Sequence, residues 1–271
     1  MSTNRNGAES AAPLVHLTEG VVAHIVFNRP DALNAINIDM AVAFRDAIEA
    51  VAADSSIRVL VLRGAGRAFM AGGDVAQMAS DPTGVADQII SPLHQGLARM
   101  AELPIPVLAS LHGAVAGAGM SIALAADLAV AADDIRFSMA YTKIGANPDA
   151  SGSWHLVRVV GLRKAMELTL LSDPVDAGQA LSLGLVNWVV PAAELADRTQ
   201  ELAGRLVGGA VQAYGRSKAL LRAAALHDLP TQLEAERQAF LQGAKGAEFK
   251  EGTDAFLQKR RPDFPAAVRK G

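Results

Sequence analysis

The chain has 271 residues, of which 51% are hydrophobic and 4% aromatic, and carries a net charge of −3. That length fits one large domain or a domain with a small appendage, built on an aliphatic, alanine-rich core. With no basic stripe, no cysteine and no apolar run near the ~20 residues that span a bilayer, the sequence excludes nucleic acid as a main partner, disulfides, thiolate zinc sites, cysteine nucleophiles and a membrane span. Residues 1–12 are rich in Ser, Asn and Ala and lack an apolar h-region, so they read as a disordered tail of a soluble, cytoplasmic protein.

In chain order, residues 21–27 are short and apolar and run into Asn28-Arg29-Pro30, the pattern of a strand ending in a turn. Residues 39–53 put Met40, Ala43, Phe44, Ala47, Ile48 and Val51 on one helical face. Residues 57–62 are a second strand, followed by a Gly64-Ala65-Gly66 loop. Residues 83–103 are mostly helical and 105–110 a third strand. Residues 113–119 read as a loop passing into an alanine-rich helix at 117–125. Short strands are expected at 127–131 and 135–137.

From Arg163 onward helices dominate, at 164–171, 176–183, 194–207, 211–225, 231–242 and 245–259, with one strand at 185–190. Strand–helix alternation followed by helices makes an α/β core with a helical C-terminal region. Gly208-Gly209 is the best linker candidate. The expected division is therefore a tail at 1–12, a core at 13–208 and a helical region at 209–271, whose apolar faces suit oligomerisation.

Several common chemistries fail on spacing. The third glycine of a dinucleotide fingerprint would fall on Phe69, and no P-loop or nucleophile elbow occurs. Histidines 16, 24, 94, 112, 155 and 227 lack metal-ligand spacing, so no metal is expected. Two small-residue segments remain. Ala71-Gly72-Gly73 lets a ligand approach the main chain, or is an ordinary tight turn. Gly117-Ala118-Gly119 sits where a helix begins, offering free N–H groups and a positive dipole end, or serves close packing. Asp149 could supply a carboxylate to the same site, or cap a helix over 151–160.

The order and spacing of several motifs resemble the crotonase family, the enoyl-CoA hydratase/isomerase superfamily. They are Asn28-Arg29-Pro30 with Leu33-Asn34-Ala35, then Arg67-Ala68-Phe69-Met70-Ala71-Gly72-Gly73-Asp74 and His112-Gly113-Ala114-Val115-Ala116-Gly117-Ala118-Gly119. Ala125-Ala126-Asp127-Leu128, Gly184-Leu185-Val186 and the tail from Glu251-Gly252 to Lys259-Arg260 continue the match. The resemblance implies a crotonase-like α/β spiral of ββα units, assembled as a homotrimer or homohexamer. It implies an acyl-CoA thioester substrate, with coenzyme A present as part of that substrate and no permanently bound cofactor. It maps two oxyanion-hole N–H groups onto Gly73 and Ala118. It makes Arg29, Arg67 and Lys259 candidate phosphate contacts, and gives the Ala71 carbonyl to the adenine amine. Trp154, Met120, Met139 and Met78 are core or pocket wall.

The departures from the family pattern narrow the reaction. The two glutamates of the family's hydratases fall on Ser121 and Tyr141, and neither is a carboxylate base. Asp149 stands where many members have glycine. Two branches share that carboxylate: enoyl-CoA isomerases, in which it shuttles a proton, and 4-chlorobenzoyl-CoA dehalogenase, in which it is a nucleophile. For the second branch His94 aligns on the water-activating histidine, and Tyr141 replaces a tryptophan. His94 is otherwise a surface or packing residue, and Tyr141 a wall of the acyl pocket. The sequence therefore favours an isomerase. A dehalogenase, or a catalytically silent CoA-binding module, is the alternative.

Overall fold

A computed structural model of the protein describes residues 14–18 and 20–269. The tail expected over residues 1–12 lies outside them. Strand β1 (Val15–Thr18) pairs antiparallel with β2 (Val22–Phe27). Helix α1 (Ile38–Ala53) follows, opened by the Asn37 side chain, which accepts the Met40 N–H. After β3 (Val59–Gly64) come a short helix α2 (Val75–Met78) and the long α3 (Pro82–Glu102). Strands β4 (Val107–Leu111) and β5 (Ala114–Ala116) lead into α4 (Ala118–Ala125), then β6 (Leu128–Ala132) and β7 (Arg136–Ser138).

The second half is helical: α5 (Gly152–Leu170), α6 (Ala177–Ser182), strand β8 (Trp188–Val190), α7 (Leu195–Val207), α8 (Val211–Ala223), α9 (Leu229–Ala244), α10 (Ala247–Leu257) and α11 (Phe264–Arg269). Gly161, with φ 75° and ψ 158°, divides α5 into two helical stretches. Four helices or strands differ from the expectation set by the sequence. β1, α2 and α11 are additional, and the expected loop over 113–119 contains β5. A three-residue strand is too short to show a period, and it forms here because β7 pairs with it in parallel.

The main sheet has the order β1-β2-β3-β4-β6-β8, parallel apart from the β1–β2 pair, and β5 and β7 form a second small sheet. Side-chain alternation along β3 divides the core. Leu60 and Leu62 pack with Phe44, Leu93 and Leu97 of α1 and α3, while Val59 and Val61 pack with Leu195 and Leu202 of α7. Parallel strands covered on both faces are expected to read as continuous apolar runs, and Val59-Leu60-Val61-Leu62 does. Every residue of α4 is buried, which fits its apolar composition on all sides. The start of α4, where the site lies, is thus held in the core.

Helix α8 is tied to that core by charge. Lys218 Nζ and Arg222 Nη2 reach the two oxygens of Asp127 at 2.6 and 2.8 Å. Burial lowers the Lys218 pKa, partly opposed by the Asp127 charge. Beyond it, α9 and α10 carry exposed Leu229, Leu233, Phe240, Phe256 and Leu257.

Candidate active site

The two small-residue segments lie side by side in register. Met70 N–H donates to Ala114 O (3.1 Å) and Ala116 N–H to Met70 O (2.9 Å), a parallel bridge between Met70 and Val115. On its other side the first segment is pinned to residues 33–36: Ala71 N–H donates to Leu33 O, Ile36 N–H to Gly72 O, and Asp74 N–H to Ile36 O. Gly73 and Ala118 each stand three residues past the Met70–Val115 bridge, so the register keeps them abreast. Glycine is required here for two reasons. Gly117 has φ +50° and ψ −123°, a conformation that side chains rarely adopt, and a Cβ on Gly119 would lie 2.3 Å from Met70 O.

Among the described residues, neither the Gly73 N–H nor the Ala118 N–H donates to an acceptor. Ala118 opens α4, whose first-turn N–H groups have no intrahelical partner and sit at the positive end of the helix dipole. Two unspent main-chain donors on neighbouring segments can stabilise a carbonyl oxygen that gains charge.

The carboxylate arrives on a turn between β7 and α5. Tyr141 O–H donates to Asp149 Oδ1 at 2.5 Å, and Ser121 Oγ lies 3.0 Å from the Tyr141 oxygen. A phenol has one proton, and Tyr141 gives it to Asp149. Ser121 therefore donates to Tyr141, making a directed chain from Ser121 through Tyr141 to Asp149. Burial, then the Asp149 charge, push the Tyr141 pKa upward, so the phenol is a fixed donor and no base. Ser121 is fully buried on α4, one turn from Ala118. The helix-capping alternative for Asp149 fails. Ser151 is the N-cap residue of α5 and makes no side-chain cap bond, and the Asp149 side chain engages Tyr141 instead.

His94, on α3, meets the same turn. Ala150 N–H donates to His94 Nε2 at 3.0 Å. Ala150 and Ser151 are consecutive non-glycine residues with positive φ, 48° and 64°. A cavity of about 460 Å³ opens between α3 and the turn, lined among others by His94, Leu97, Ala98, Asp149, Trp154 and His155. Trp154 is thus pocket wall, with the Arg158 guanidinium 3.7 Å above its ring, while Met120 and Met139 are core. Burial, then Arg222 and Arg158, depress the His155 pKa to about 4, so its imidazole is neutral near pH 7.

The residues expected to hold coenzyme A are not all brought together. Arg29 Nη1 donates to Asp74 Oδ2 (2.6 Å) and to Ala35 O (3.0 Å), bracing the Gly73 segment. The Ala71 carbonyl lies on that segment and accepts nothing among the described residues. Arg67 is exposed on the preceding loop. Lys259 follows α10, and its N–H returns to Phe256 O with no contact to the other three.

Two residues that brace the site carry no assignment from the sequence. Asn34, fully buried, sends its Nδ2 to Ala65 O, Ala68 O and Phe69 O and accepts the Arg29 N–H, fixing the approach to Met70. Asp74 caps α2 through the Gln77 N–H; that bond and Arg29 hold its carboxyl below the usual carboxylate range. The Asp-x-x-Gln spacing was the available signal for Asp74. A buried Asn with φ 57° has no comparable local pattern.

Both the sequence and the fold have relatives among known proteins. The family model described as enoyl-CoA hydratase/isomerase matches residues 18–267. The 1,2-epoxyphenylacetyl-CoA isomerase of Escherichia coli K12 is 38% identical over 258 residues, covering 93% of this chain and 97% of that protein. The crystal structure of an enoyl-CoA hydratase from Polaromonas sp. JS666 superposes with a TM-score of 0.87 at 34% identity, covering 92% of this chain and 98% of that one. A family protein of Thermobifida fusca, crystallised in complex with CoA, superposes with a TM-score of 0.80 at 29% identity, covering 86% and 93%.

Proposed function

Because the chain belongs to the enoyl-CoA hydratase/isomerase family, the crotonase superfamily, we propose that this acyl-CoA-processing enzyme is an isomerase. In this reading Asp149 moves a proton between two carbons of an enolate whose oxygen is held by Gly73 and Ala118. The observation that carries it is the directed chain from Ser121 through Tyr141 to Asp149. Where a hydratase needs two carboxylates to hold and split water, this site has a hydroxyl and a phenol backing a single carboxylate. The relative of 38% identity is itself an isomerase by name.

On a 3-enoyl thioester the proposed steps run in this order. The thioester oxygen accepts the Gly73 and Ala118 N–H groups. Asp149 takes a proton from C2, the C2–H electron pair forms the dienolate, and the negative charge collects on that oxygen. The same carboxyl returns the proton to C4, which moves the double bond from C3–C4 to C2–C3. Tyr141 stays protonated and orients the carboxylate through Oδ1, leaving Oδ2 to carry the proton. Each oxyanion donor contributes on the order of 3 kcal/mol.

The coenzyme A portion would run over the Arg29–Asp74 brace, with the Ala71 carbonyl accepting from the adenine amine and Arg67 and Lys259 meeting phosphates. The exposed apolar residues of α9 and α10 support a homotrimer or homohexamer, which native mass spectrometry reads directly. Among the described residues no helix is long and apolar enough to cross a membrane, which accords with a cytoplasmic enzyme.

The test is Asp149→Asn, which keeps the size and the acceptor for Tyr141 but removes the base. Turnover of 3-enoyl-CoA should fall ~100-fold or more, the scale of a general base, with CoA-thioester binding retained. A variant as fast as the wild type would overturn the proposal. A covalent adduct formed by the wild type on 4-halobenzoyl-CoA would give Asp149 the nucleophile's role instead.

A further inference from the structure

We infer that His94 is a positioning residue for Asp149. By accepting the Ala150 N–H, its Nε2 fixes the strained turn on which the carboxylate is mounted. The kinetic half of this inference rests on the isomerase reading; the structural half does not.

The turn has few other ways to hold its shape. Ala150 and Ser151 are both in the left-handed region, where a side chain crowds its own backbone and the conformation persists only if the surroundings over-determine it. The helix that follows has no side-chain cap to supply that constraint. Within the turn itself, Gly152 N–H donates to Asp149 O (2.8 Å), which closes the loop without orienting it in the protein. Two side-chain hydrogen bonds hold it there. Tyr141, earlier in the same connection, grips the Asp149 carboxylate, and His94, 56 residues earlier on α3, accepts the next peptide N–H. Ala150 is fully buried, and a buried N–H left unpaired by removal of His94 is costly.

The bond also defines the chemical state of the ring. An imidazole nitrogen that accepts an N–H carries no proton, so the neutral ring has its hydrogen on Nδ1. Its one free lone pair is spent on Ala150. His94 therefore has none left to activate a water, and it acts on the reaction through the main chain next to Asp149.

Three variants separate this role from its rivals. In His94→Gln the side-chain oxygen falls where Nε2 was and can still accept. In His94→Asn the oxygen falls short, and in His94→Leu the bulk remains without an acceptor. Their kcat and KM on 3-enoyl-CoA would be measured beside hydrogen–deuterium exchange of the peptide spanning residues 146–153. Leu and Asn should lower kcat ~10- to 100-fold, the scale of a misplaced catalytic group, with KM nearly unchanged and exchange of that peptide accelerated. Gln should restore both to near the wild-type values.

The inference is overturned if Gln is as damaged as Leu, which would mean that the imidazole itself is needed. It is equally overturned if Leu leaves both kcat and exchange unchanged. If exchange separates the variants as expected while the wild type isomerises no CoA thioester, the isomerase reading fails and the positioning role stands.

Discussion

The two halves of the site are held by different means. The segments at 70–74 and 114–119 are locked by main-chain bonds in parallel register, and glycine at their contacts is needed because backbone meets backbone. The turn at 140–151 is positioned by side chains: Tyr141 on the carboxylate, Ser121 behind it and His94 on the next peptide. The two proposed oxyanion donors, Gly73 and Ala118, are thus independent of side-chain identity, provided the backbones can approach. The proposed base, Asp149, depends on particular side chains one by one. Damage to the first half should be steric and large, and damage to the second graded and chemical.

Gly119→Ala should have the largest effect. Its Cβ would sit 2.3 Å from Met70 O and force the two segments apart. Overpacking of this kind costs about 1–3 kcal/mol, and misplacing an oxyanion donor costs activity ~100-fold or more. Thermal melts and kcat on 3-enoyl-CoA read both. Gly73→Ala is the contrast, because its new methyl meets only the movable end of Met78, at 2.9 Å. It should keep near-wild-type stability. If both variants melt alike, main-chain contact is not what fixes this half.

Tyr141→Phe should act on the other half by a smaller amount. It removes the donor to Asp149 and leaves the Ser121 hydroxyl buried without its partner. A hydrogen bond to a charged group contributes about 1.5–3 kcal/mol, so kcat should fall by about 10- to 100-fold, with Gly73 and Ala118 untouched. An unchanged kcat would show that the carboxylate is oriented without the phenol.

His155 gives the smallest effect, on stability rather than rate. Its folded pKa of about 4 lies below the ordinary 6.5, so between those values the unfolded chain binds more protons. Stability is full above about pH 6.5 and declines as pH falls toward about 4. Melts across that window should show a shallower decline for His155→Gln than for the wild type. Equal slopes would mean that His155 is not held neutral by the wall of the cavity.

The contrast between the two halves also explains what could be read from the sequence. Register-locked segments need small residues at fixed spacing, so Ala71-Gly72-Gly73 and Gly117-Ala118-Gly119 stand out in the chain itself. The strand–helix alternation and the helical C-terminal region were legible for a similar reason, since apolar periodicity records burial. Strands β1 and β5 were not, being short elements created by their pairing partners. Asp149 was visible as a carboxylate with two readings, and the fold removes one of them, the helix cap. Its neighbours Ser121 and Tyr141 are 28 and 8 residues away in sequence, and no local pattern announces that their hydroxyls meet. Asn34 was hidden for the same reason, because its partners at 65, 68 and 69 belong to another loop.

The central claim is that one carboxylate carries the same proton from one carbon to the other. Isomerisation of 3-enoyl-CoA in D₂O, with mass and NMR analysis of the product at C4, tests it most directly. A single shielded base returns part of the original protium to C4 and yields 2-enoyl-CoA without 3-hydroxyacyl-CoA. Complete deuteration at C4 would contradict it, because the proton taken from C2 would then have passed to solvent before C4 was protonated; 3-hydroxyacyl-CoA as the main product would contradict it because water would have added to the double bond.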